Sequence, residues 1–295
     1  MKFLLHFAKH LKSFLFYPFQ TTNWFIKDLK KDFFLKNKIS KHKFIWCAGL
    51  PKSGTTLIEG VFDCLPYVRL DSSILRIYDS RNLDHGHGIS DEMFSNIPDN
   101  KFTFLKTHTH YSKNYENIAI KKNTKIIISV RDLRDMLISR YYHIKSDQKH
   151  WLHKKLIKLD FTEGFLKSLK EKFSPSSEDP LTYYYFWIKN WILEGKKKNY
   201  LILWFEDYKK EPLKYINKIL EYTDNKNFSA EEIYSKMKNK RKINNLSQGL
   251  KNYGRSKNTF RKGAVGEWHE LFDEKISRYF YKNIPGDIKD IEFDN

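Results

Sequence analysis

The sequence FIWCAGL (44–50), followed directly by PKSGTT (51–56), decides the fold of this chain. The first part is a short apolar run that is typical of a buried strand, and a helical pattern follows it to about Cys64. A strand, a glycine-containing loop and a helix in this order surround an anion with backbone N–H groups and the positive end of the helix. The sequence therefore predicts an anion-binding loop at the end of a buried strand.

This loop has the glycine spacing of a nucleotide triphosphate loop but lacks the lysine of that motif. Gly49 and Gly54 keep the G-x-x-x-x-G pattern, whereas Thr55 stands where the motif requires Lys, and Lys52 lies earlier. The pattern favours a phosphate-like group other than a magnesium-bound triphosphate. An ordinary turn between a strand and a helix is the alternative interpretation. The candidate anion ligands of the loop are Lys52, Ser53, Gly54, Thr55 and Thr56.

Strand and helix patterns alternate along the rest of the chain. Further strand candidates, rich in β-branched and aromatic residues, are FTFLK (102–106), KIIISV (125–130) and YLILWF (200–205). Helical patterns lie near 132–146, 160–173, 181–197, 211–222, 229–239 and 268–282. This alternation predicts a three-layer α/β fold, with a central parallel sheet flanked by helices. Ligands of such sheets bind at the carboxyl ends of the strands.

Two further basic segments are candidate anion sites. Arg131 ends the 125–130 strand pattern where a helix begins, so it combines a fork-shaped donor with a helix N-terminus. The alternative for Arg131 is an i,i+4 pair with Asp135 on the helix surface, and we expect the neighbouring Arg134 to face solvent. Near the end of the chain, Arg261-Lys262-Gly263 offers charge and a backbone that can approach a ligand closely; a solvated basic loop is the alternative.

Three segments in this order resemble the sulfotransferases that use 3′-phosphoadenosine 5′-phosphosulfate. PKSGTT (51–56) is similar to the loop of that family that holds the 5′-phosphosulfate. RDLRDMLIS (131–139) resembles the segment in which an Arg and a Ser eight positions later hold the 3′-phosphate, here Arg131 and Ser139. RKGAVGEW (261–268) resembles the R-K-G-x-x-G-[DE]-W loop that closes on the same phosphate. The resemblance runs from about residue 44 to 282 and implies a P-loop-like fold and this donor.

A histidine follows the 102–106 strand pattern, in the segment Thr107-His108-Thr109-His110. A histidine at the end of a strand can take a proton from an acceptor hydroxyl because imidazole titrates near neutral pH. The resemblance implies that His108 is the general base, that Lys106 is a supporting charge and that Lys52 stabilises the bridging oxygen, with no divalent metal. A turn histidine is the alternative for His108, and Asp71 is an alternative base.

The chain also departs from the cytosolic animal and plant branch of the resembled family. Leu57 and Phe205 stand where that branch has an adenine-stacking Trp and a Tyr, so adenine is expected between other apolar side chains. The dimerisation motif of that branch has no counterpart after Trp268. These differences indicate a general or microbial member of the family and leave the oligomeric state open.

Composition limits the class of protein. The 295 residues contain 54 Lys+Arg and 35 Asp+Glu, a net charge of +19, and 40% hydrophobic residues, which excludes general disorder. Cys47 and Cys64 are too few for a disulfide-built fold, and no window approaches eighteen apolar residues, so we expect a cytoplasmic protein. Such lysine usage can reflect an AT-rich genome, which weakens the inference of a nucleic-acid partner.

We divide the chain into an amphipathic basic extension (1–40) and a sulfotransferase domain (41–295). The extension is either a helix that packs on the domain or an interfacial helix that contacts a membrane surface. A signal peptide is disfavoured because Lys9 and Lys12 interrupt its apolar part.

The leading hypothesis is sulfuryl transfer to a hydroxyl or an amine, with a glycan, a lipid or a small alcohol as the acceptor. A P-loop kinase or nucleotide hydrolase is the second hypothesis, although the 125–130 strand pattern ends in Arg131 rather than a magnesium-binding Asp. The third is a non-enzymatic basic module that binds nucleic acid or membrane. The aromatic stretch 183–187 is interpreted as helix core rather than acceptor pocket.

Overall fold

The computed structural model describes residues 44–66, 68–70, 102–148, 150–172, 177–246 and 263–291. The strands of these residues are β1 (Phe44–Gly49), β2 (Val68–Leu70), β3 (Phe102–Thr107), β4 (Thr124–Val130) and β5 (Leu201–Trp204). The longer helices are α1 (Thr55–Cys64), α2 (Lys113–Lys121), α3 (Leu133–Ser146), α5 (Phe161–Lys170), α6 (Pro180–Lys198), α8 (Pro212–Tyr222), α9 (Ala230–Leu246) and α11 (Glu274–Asn283). The short helices are α4 (His153–Leu156), α7 (Phe205–Lys210), α10 (Trp268–Leu271) and a 3₁₀ turn, Ile288–Ile291.

The described strands form one sheet in the order β2-β3-β1-β4-β5. β3 pairs in parallel with both β1 and β2, and Ala48 lies opposite Thr107 in the β1–β3 register. Every residue of β1 is buried, as expected for a central strand that is covered on both faces. The predicted α/β class, with a central parallel sheet flanked by helices, is confirmed.

The contacts of the chain cluster into two compact units. The first contains β1 up to Ala48, the stretch Thr56–Ile127 and the stretch Ile216–Met237. Its core is mostly aliphatic and includes a stacked aromatic pair, Phe62 and Phe104, with ring centroids 4.8 Å apart. The fully buried Trp46 satisfies its only polar group by donating from Nε1 to Thr107 Oγ1 at 2.8 Å.

The second unit contains Gly49–Thr55, Ile128–Tyr215 and Lys238–Asn295. α6 supplies much of its core, with Tyr184, Tyr185 and Trp187 buried and Trp187 tilted against Trp191 at 5.9 Å between centroids. The interpretation of the 183–187 aromatics as helix core therefore holds for these three side chains.

Some element boundaries differ from the sequence-based prediction. The 268–282 pattern contains two helices, α10 and α11, because the Asp273 side chain accepts a hydrogen bond from Ile276 N at 2.7 Å and starts a new helix. Phe205 begins α7 instead of ending β5. The short strand β2 and the polar helix α2 were not predicted.

Several predicted features lie outside the described residues: the 1–40 extension, the alternative base Asp71, and Arg261 with Lys262. Within the described ranges, none of the helices has the length and apolar character needed to cross a membrane. Cys47 and Cys64 are buried free thiols.

Candidate active site

The loop between β1 and α1 belongs to the second unit and is held in an unusual backbone conformation. Lys52 and Gly54 have positive φ angles of 75° and 103°, in the region that non-glycine residues rarely adopt. Ser53 fastens the turn, because its backbone N–H and its hydroxyl both donate to Leu50 O, at 3.2 and 2.8 Å. The loop is therefore fixed in shape before α1 begins at Thr55.

Gly49 lets this loop approach its neighbours more closely than any other residue would allow. A Cβ at Gly49 would lie 2.3 Å from Thr55 Cγ2 and 2.8 Å from Ser129 Cβ. Ser129 Oγ also donates to Ser53 O at 3.1 Å. The first glycine of the predicted loop is thus required by packing.

The polar side chains of the loop differ in exposure. Ser53 and Thr55 are buried, Lys52 is half-buried and Thr56 is exposed. Because the Ser53 hydroxyl already donates to Leu50 O, its side chain serves mainly to hold the loop together. The half-buried Lys52 places a positive charge within the loop.

Arg131 lies at the end of β4 and connects two of the predicted motif loops of the second unit. Its guanidinium donates from Nη1 to Lys52 O at 3.3 Å and from Nη2 to Ala264 O at 2.8 Å. The guanidinium carbon lies 4.6 Å from the centre of the Phe205 ring, and Nε is buried without a hydrogen-bond partner. Arg131 is only 4% exposed. A buried cation with an unsatisfied donor is what an anion site requires.

Nearby carboxylates act on the pKa of Arg131. Burial lowers the pKa of Arg131, and the charges of Asp135 and Glu206 oppose that effect. Glu206 accepts a hydrogen bond from Asp132 N at 3.1 Å, and its Oε2 is buried without a partner. Burial raises the pKa of Glu206 to about 7. Glu206 was not predicted from the sequence. The sequence feature that could have indicated it is a carboxylate two residues after the end of β5.

Arg134 does not face solvent, so that prediction was wrong. It is 7% exposed, and its guanidinium carbon lies 3.7 Å from the centre of the Trp268 ring. Asp132 binds it through an ion pair of 2.5 Å. Arg134 is shielded from solvent because Trp268, in the RKGAVGEW segment, covers the first turn of α3.

Asp135 is also inside the protein rather than in a surface pair with Arg131. It is 1% exposed and accepts hydrogen bonds from Gly266 N and Trp268 N at 2.6 and 3.0 Å. Ser139 lies half-buried on α3, about two helical turns from the helix start. Gly263 has a positive φ of 60° and immediately follows the predicted ligands Arg261 and Lys262 in the sequence.

The predicted reaction residues lie in the first unit. Lys106 Nζ forms an ion pair of 2.6 Å with Glu59, whose side chain is 7% exposed. Burial raises the pKa of the neighbouring Cys47 thiol to about 12, so it stays protonated. The sequence did not predict Glu59, which lies on the largely apolar helix α1. The Lys106 charge is therefore already paired in this structure.

His108 and His110 follow β3 directly. His108 is half-buried and comes one residue after Thr107, the register partner of Ala48. Burial lowers the pKa of His110 to about 4, so its imidazole is neutral at pH 7. Thr109 between them is buried. In the part of the chain that is described, no group of three or more His, Cys, Asp or Glu side chains could hold a metal ion.

A strand, a tight glycine loop and a helix, with a buried arginine at the end of a second strand, define a P-loop-like α/β protein. The sulfotransferase domain model matches residues 42–291, which is most of the chain. The chain therefore belongs to the sulfotransferase family and is an enzyme of sulfuryl transfer. The resemblance inferred from the three motifs is confirmed, and the kinase and binding-module hypotheses are not needed.

Curated relatives and solved structures agree with this family. Mouse sulfotransferase 1E1 is 24% identical over 270 residues, which cover 82% of this chain and 82% of that protein. Flavonol 3-sulfotransferase of Flaveria bidentis is 24% identical over 255 residues, with 79% and 78% coverage. Among solved structures, mouse sulfotransferase SULT7A1 complexed with PAP matches with a TM-score of 0.59 and 20% identity, over 84% of this chain and 85% of that one. At 20% identity, the similarity to this solved structure shows that the two proteins share a fold.

Proposed function

We propose that the chain transfers the sulfuryl group of 3′-phosphoadenosine 5′-phosphosulfate to an acceptor hydroxyl. The observation that carries this proposal is the buried Arg131, which bonds to backbone carbonyls of the loop after β1 and of the 263–268 segment. A nucleotide with two separate anionic groups, a 5′-phosphosulfate and a 3′-phosphate, needs the loop after β1 and the 263–268 segment at the same time. The PAP bound in the solved structure of mouse SULT7A1 supports the choice of donor, since PAP is the product left after sulfuryl transfer.

The donor is held at its two anionic ends. The loop after β1 and the N-terminus of α1 supply N–H groups and a positive dipole end for the 5′-phosphosulfate. Its proposed ligands are Lys52, Ser53, Gly54, Thr55 and Thr56. The proposed ligands of the 3′-phosphate are Arg131, Ser139, Arg261, Lys262 and Gly263.

The transfer is an in-line displacement at sulfur. The acceptor oxygen forms a bond to sulfur while the bond from sulfur to the bridging phosphate oxygen breaks, which releases PAP. His108 takes the proton of the acceptor hydroxyl. Lys52 stabilises the negative charge that develops on the bridging oxygen, and Lys106, which is held by Glu59, adds a supporting positive charge.

His108 is favoured over His110 as the base. A general base works best when its pKa is close to the working pH, and a pKa of about 4 makes His110 too weak a base at neutrality. His108 is the histidine that directly follows the end of β3. The carboxylate of Asp71 lies outside the described residues and remains an alternative base.

We propose a small ring-containing alcohol as the acceptor. The name of the Flaveria relative gives a flavonol as its acceptor, and a retinol dehydratase solved with retinol and PAP matches this fold with a TM-score of 0.53. Incubation of the protein with the donor and a panel of alcohols, amines, glycans and lipids, read by mass spectrometry for added sulfate, tests this choice. Sulfate on a glycan or a lipid alone would overturn it.

His108→Ala should reduce sulfuryl transfer by roughly 10²-fold or more, because the acceptor hydroxyl loses its proton acceptor. The affinity for PAP, measured by calorimetry, should stay within about twofold, since His108 is not among the proposed donor ligands. His110→Ala is the matched control and should retain most of the transfer rate. Equal losses of transfer and of PAP binding in His108→Ala would contradict the assignment of the base.

A further inference from the structure

A buried carboxylate on α3 fixes the glycine-containing segment near the end of the chain. Asp135 Oδ2 accepts a hydrogen bond from Gly266 N at 2.6 Å, and its Oδ1 accepts one from Trp268 N at 3.0 Å. The residues that these bonds join are more than 130 positions apart in the sequence. Since Asp135 is 1% exposed, water competes little for these bonds, and their loss removes the acceptor of two half-buried N–H groups.

The segment 263–268 has a conformation that its own sequence does not stabilise. Gly263 and Gly266 both have positive φ angles, 60° and 76°, and glycine loses more conformational entropy than other residues when it is ordered. Val265 between them is 47% exposed and contributes little packing. An external anchor is therefore needed to hold this segment in one conformation.

Arg131, at the end of β4, and the first turn of α3 provide that anchor at both ends of the segment. Arg131 Nη2 donates to Ala264 O at 2.8 Å near one end, and the Arg134 guanidinium stacks on Trp268 at the other. Asp135 accepts hydrogen bonds from Gly266 N, between these two contacts, and from the backbone N–H of Trp268 itself. Arg131 and the first turn of α3 thus hold together the segment that follows the predicted phosphate ligands.

We propose that Asp135 is a positioning residue for the 3′-phosphate of the donor. It holds 263–268 in the conformation in which Gly263 and Arg131 can bind that phosphate, and it does not touch the donor itself. The inference rests on the proposed function, because it needs a donor with a 3′-phosphate.

The test compares two nucleotides on the full-length protein by calorimetry. Adenosine 3′,5′-bisphosphate, which is PAP, carries the 3′-phosphate, and adenosine 5′-monophosphate lacks it. Asp135→Ala should weaken the bisphosphate at least tenfold and change the affinity for the monophosphate less than about twofold. Asp135→Asn, which keeps one acceptor oxygen and the size of the side chain, should show the same selective loss to a smaller extent, and it serves as the test if Asp135→Ala does not fold.

Asp179→Ala is the matched control, since Asp179 also accepts from a backbone N–H, that of Thr182 at 3.0 Å, but at the start of α6. It should lower the melting temperature and leave both nucleotide affinities unchanged. Equal losses for both nucleotides in the Asp135 variants, or affinities equal to those of Asp179→Ala, would overturn the positioning role alone. A wild-type protein that does not bind the bisphosphate would overturn the proposed function and this inference with it.

Discussion

At the scale of single residues, the proposed donor site contains charged side chains that are buried in the protein. Arg131 contacts two backbone carbonyls and the face of Phe205, and it keeps one N–H without a partner. The neighbouring Glu206 likewise keeps one buried carboxylate oxygen without a partner. Unsatisfied buried charges reduce stability, and proteins keep them mainly where a ligand or a reaction needs them.

Glu206→Gln should change how the stability of the fold depends on pH. Burial raises the pKa of Glu206 from 4.5 to about 7, so the folded protein holds a proton that the unfolded chain loses above pH 4.5. The stabilisation from this proton is complete below pH 4.5 and is lost as the pH rises through 7. From pH 5 to pH 8, the wild-type protein should lose on the order of 1 to 3 kcal/mol relative to Glu206→Gln, as measured by urea denaturation.

Glu163→Gln, at an exposed position, is the control for the substitution of a glutamate by glutamine. If the difference between the wild-type protein and Glu206→Gln stayed constant from pH 5 to pH 8, the raised pKa of Glu206 would be wrong.

The sequence predicted the proposed site residues that follow a strand pattern. It did not predict Glu59 and Glu206, whose partners lie far away in the sequence. Lys52, Arg131 and His108 each follow a strand pattern, which is visible in the sequence. The partner of Lys106, Glu59, is 47 residues away, and Glu206 is 74 residues from Asp132. No spacing rule connects such residues, because only the three-dimensional packing of the strands and helices brings them together.

At the scale of elements, the loop between β1 and α1 is shaped by close packing as much as by hydrogen bonds. Gly49 leaves no room for a Cβ beside Thr55 and Ser129. Gly60, in the middle of α1, meets the flexible end of Met237 instead, with Cε at 3.1 Å. A Cβ at Gly49 would therefore meet rigid neighbours, whereas a Cβ at Gly60 would meet only the end of a flexible side chain.

Gly49→Ala should destabilise the protein by roughly 1 to 3 kcal/mol, because the added methyl group displaces the loop. It should also weaken PAP binding. Gly60→Ala is the matched control and should stay within about 1 kcal/mol of the wild-type protein, since the higher helix propensity of alanine offsets the shift of Met237. Thermal denaturation and PAP calorimetry on both variants measure this, and a Gly49→Ala variant that binds PAP normally would contradict the packing of the loop.

The sequence predicted the elements that have strong apolar periodicity and missed the polar or short ones. β1 and β4 are continuous apolar runs, whereas α2 is largely polar and β2 has only three residues. The break between α10 and α11 was missed because the apolar pattern continues across Asp273, although its side chain caps a new helix. Such breaks depend on the geometry of the cap rather than on hydrophobic spacing.

At the scale of the whole molecule, the basic side chains of this chain, whose net charge is +19, include two groups with different surroundings. Many lysines pair with glutamates on helix surfaces, as Lys236 does with Glu232 and Lys214 with Glu211. Such exposed pairs contribute little to stability, so they say little about function. Arg131, Arg134 and Lys106 are instead buried or part-buried, and each has defined partners within its own unit.

Calorimetry with PAP in EDTA is the most direct test of the central claim, namely that this chain is a sulfotransferase with a built site for the phosphosulfate donor. We predict saturable binding of one PAP per chain without divalent metal, which persists at 0.5 M salt because the site is partly buried and weakly screened. ATP with magnesium should bind more weakly. Absence of PAP binding, stronger magnesium-dependent binding of ATP, or PAP binding that high salt abolishes would contradict the account.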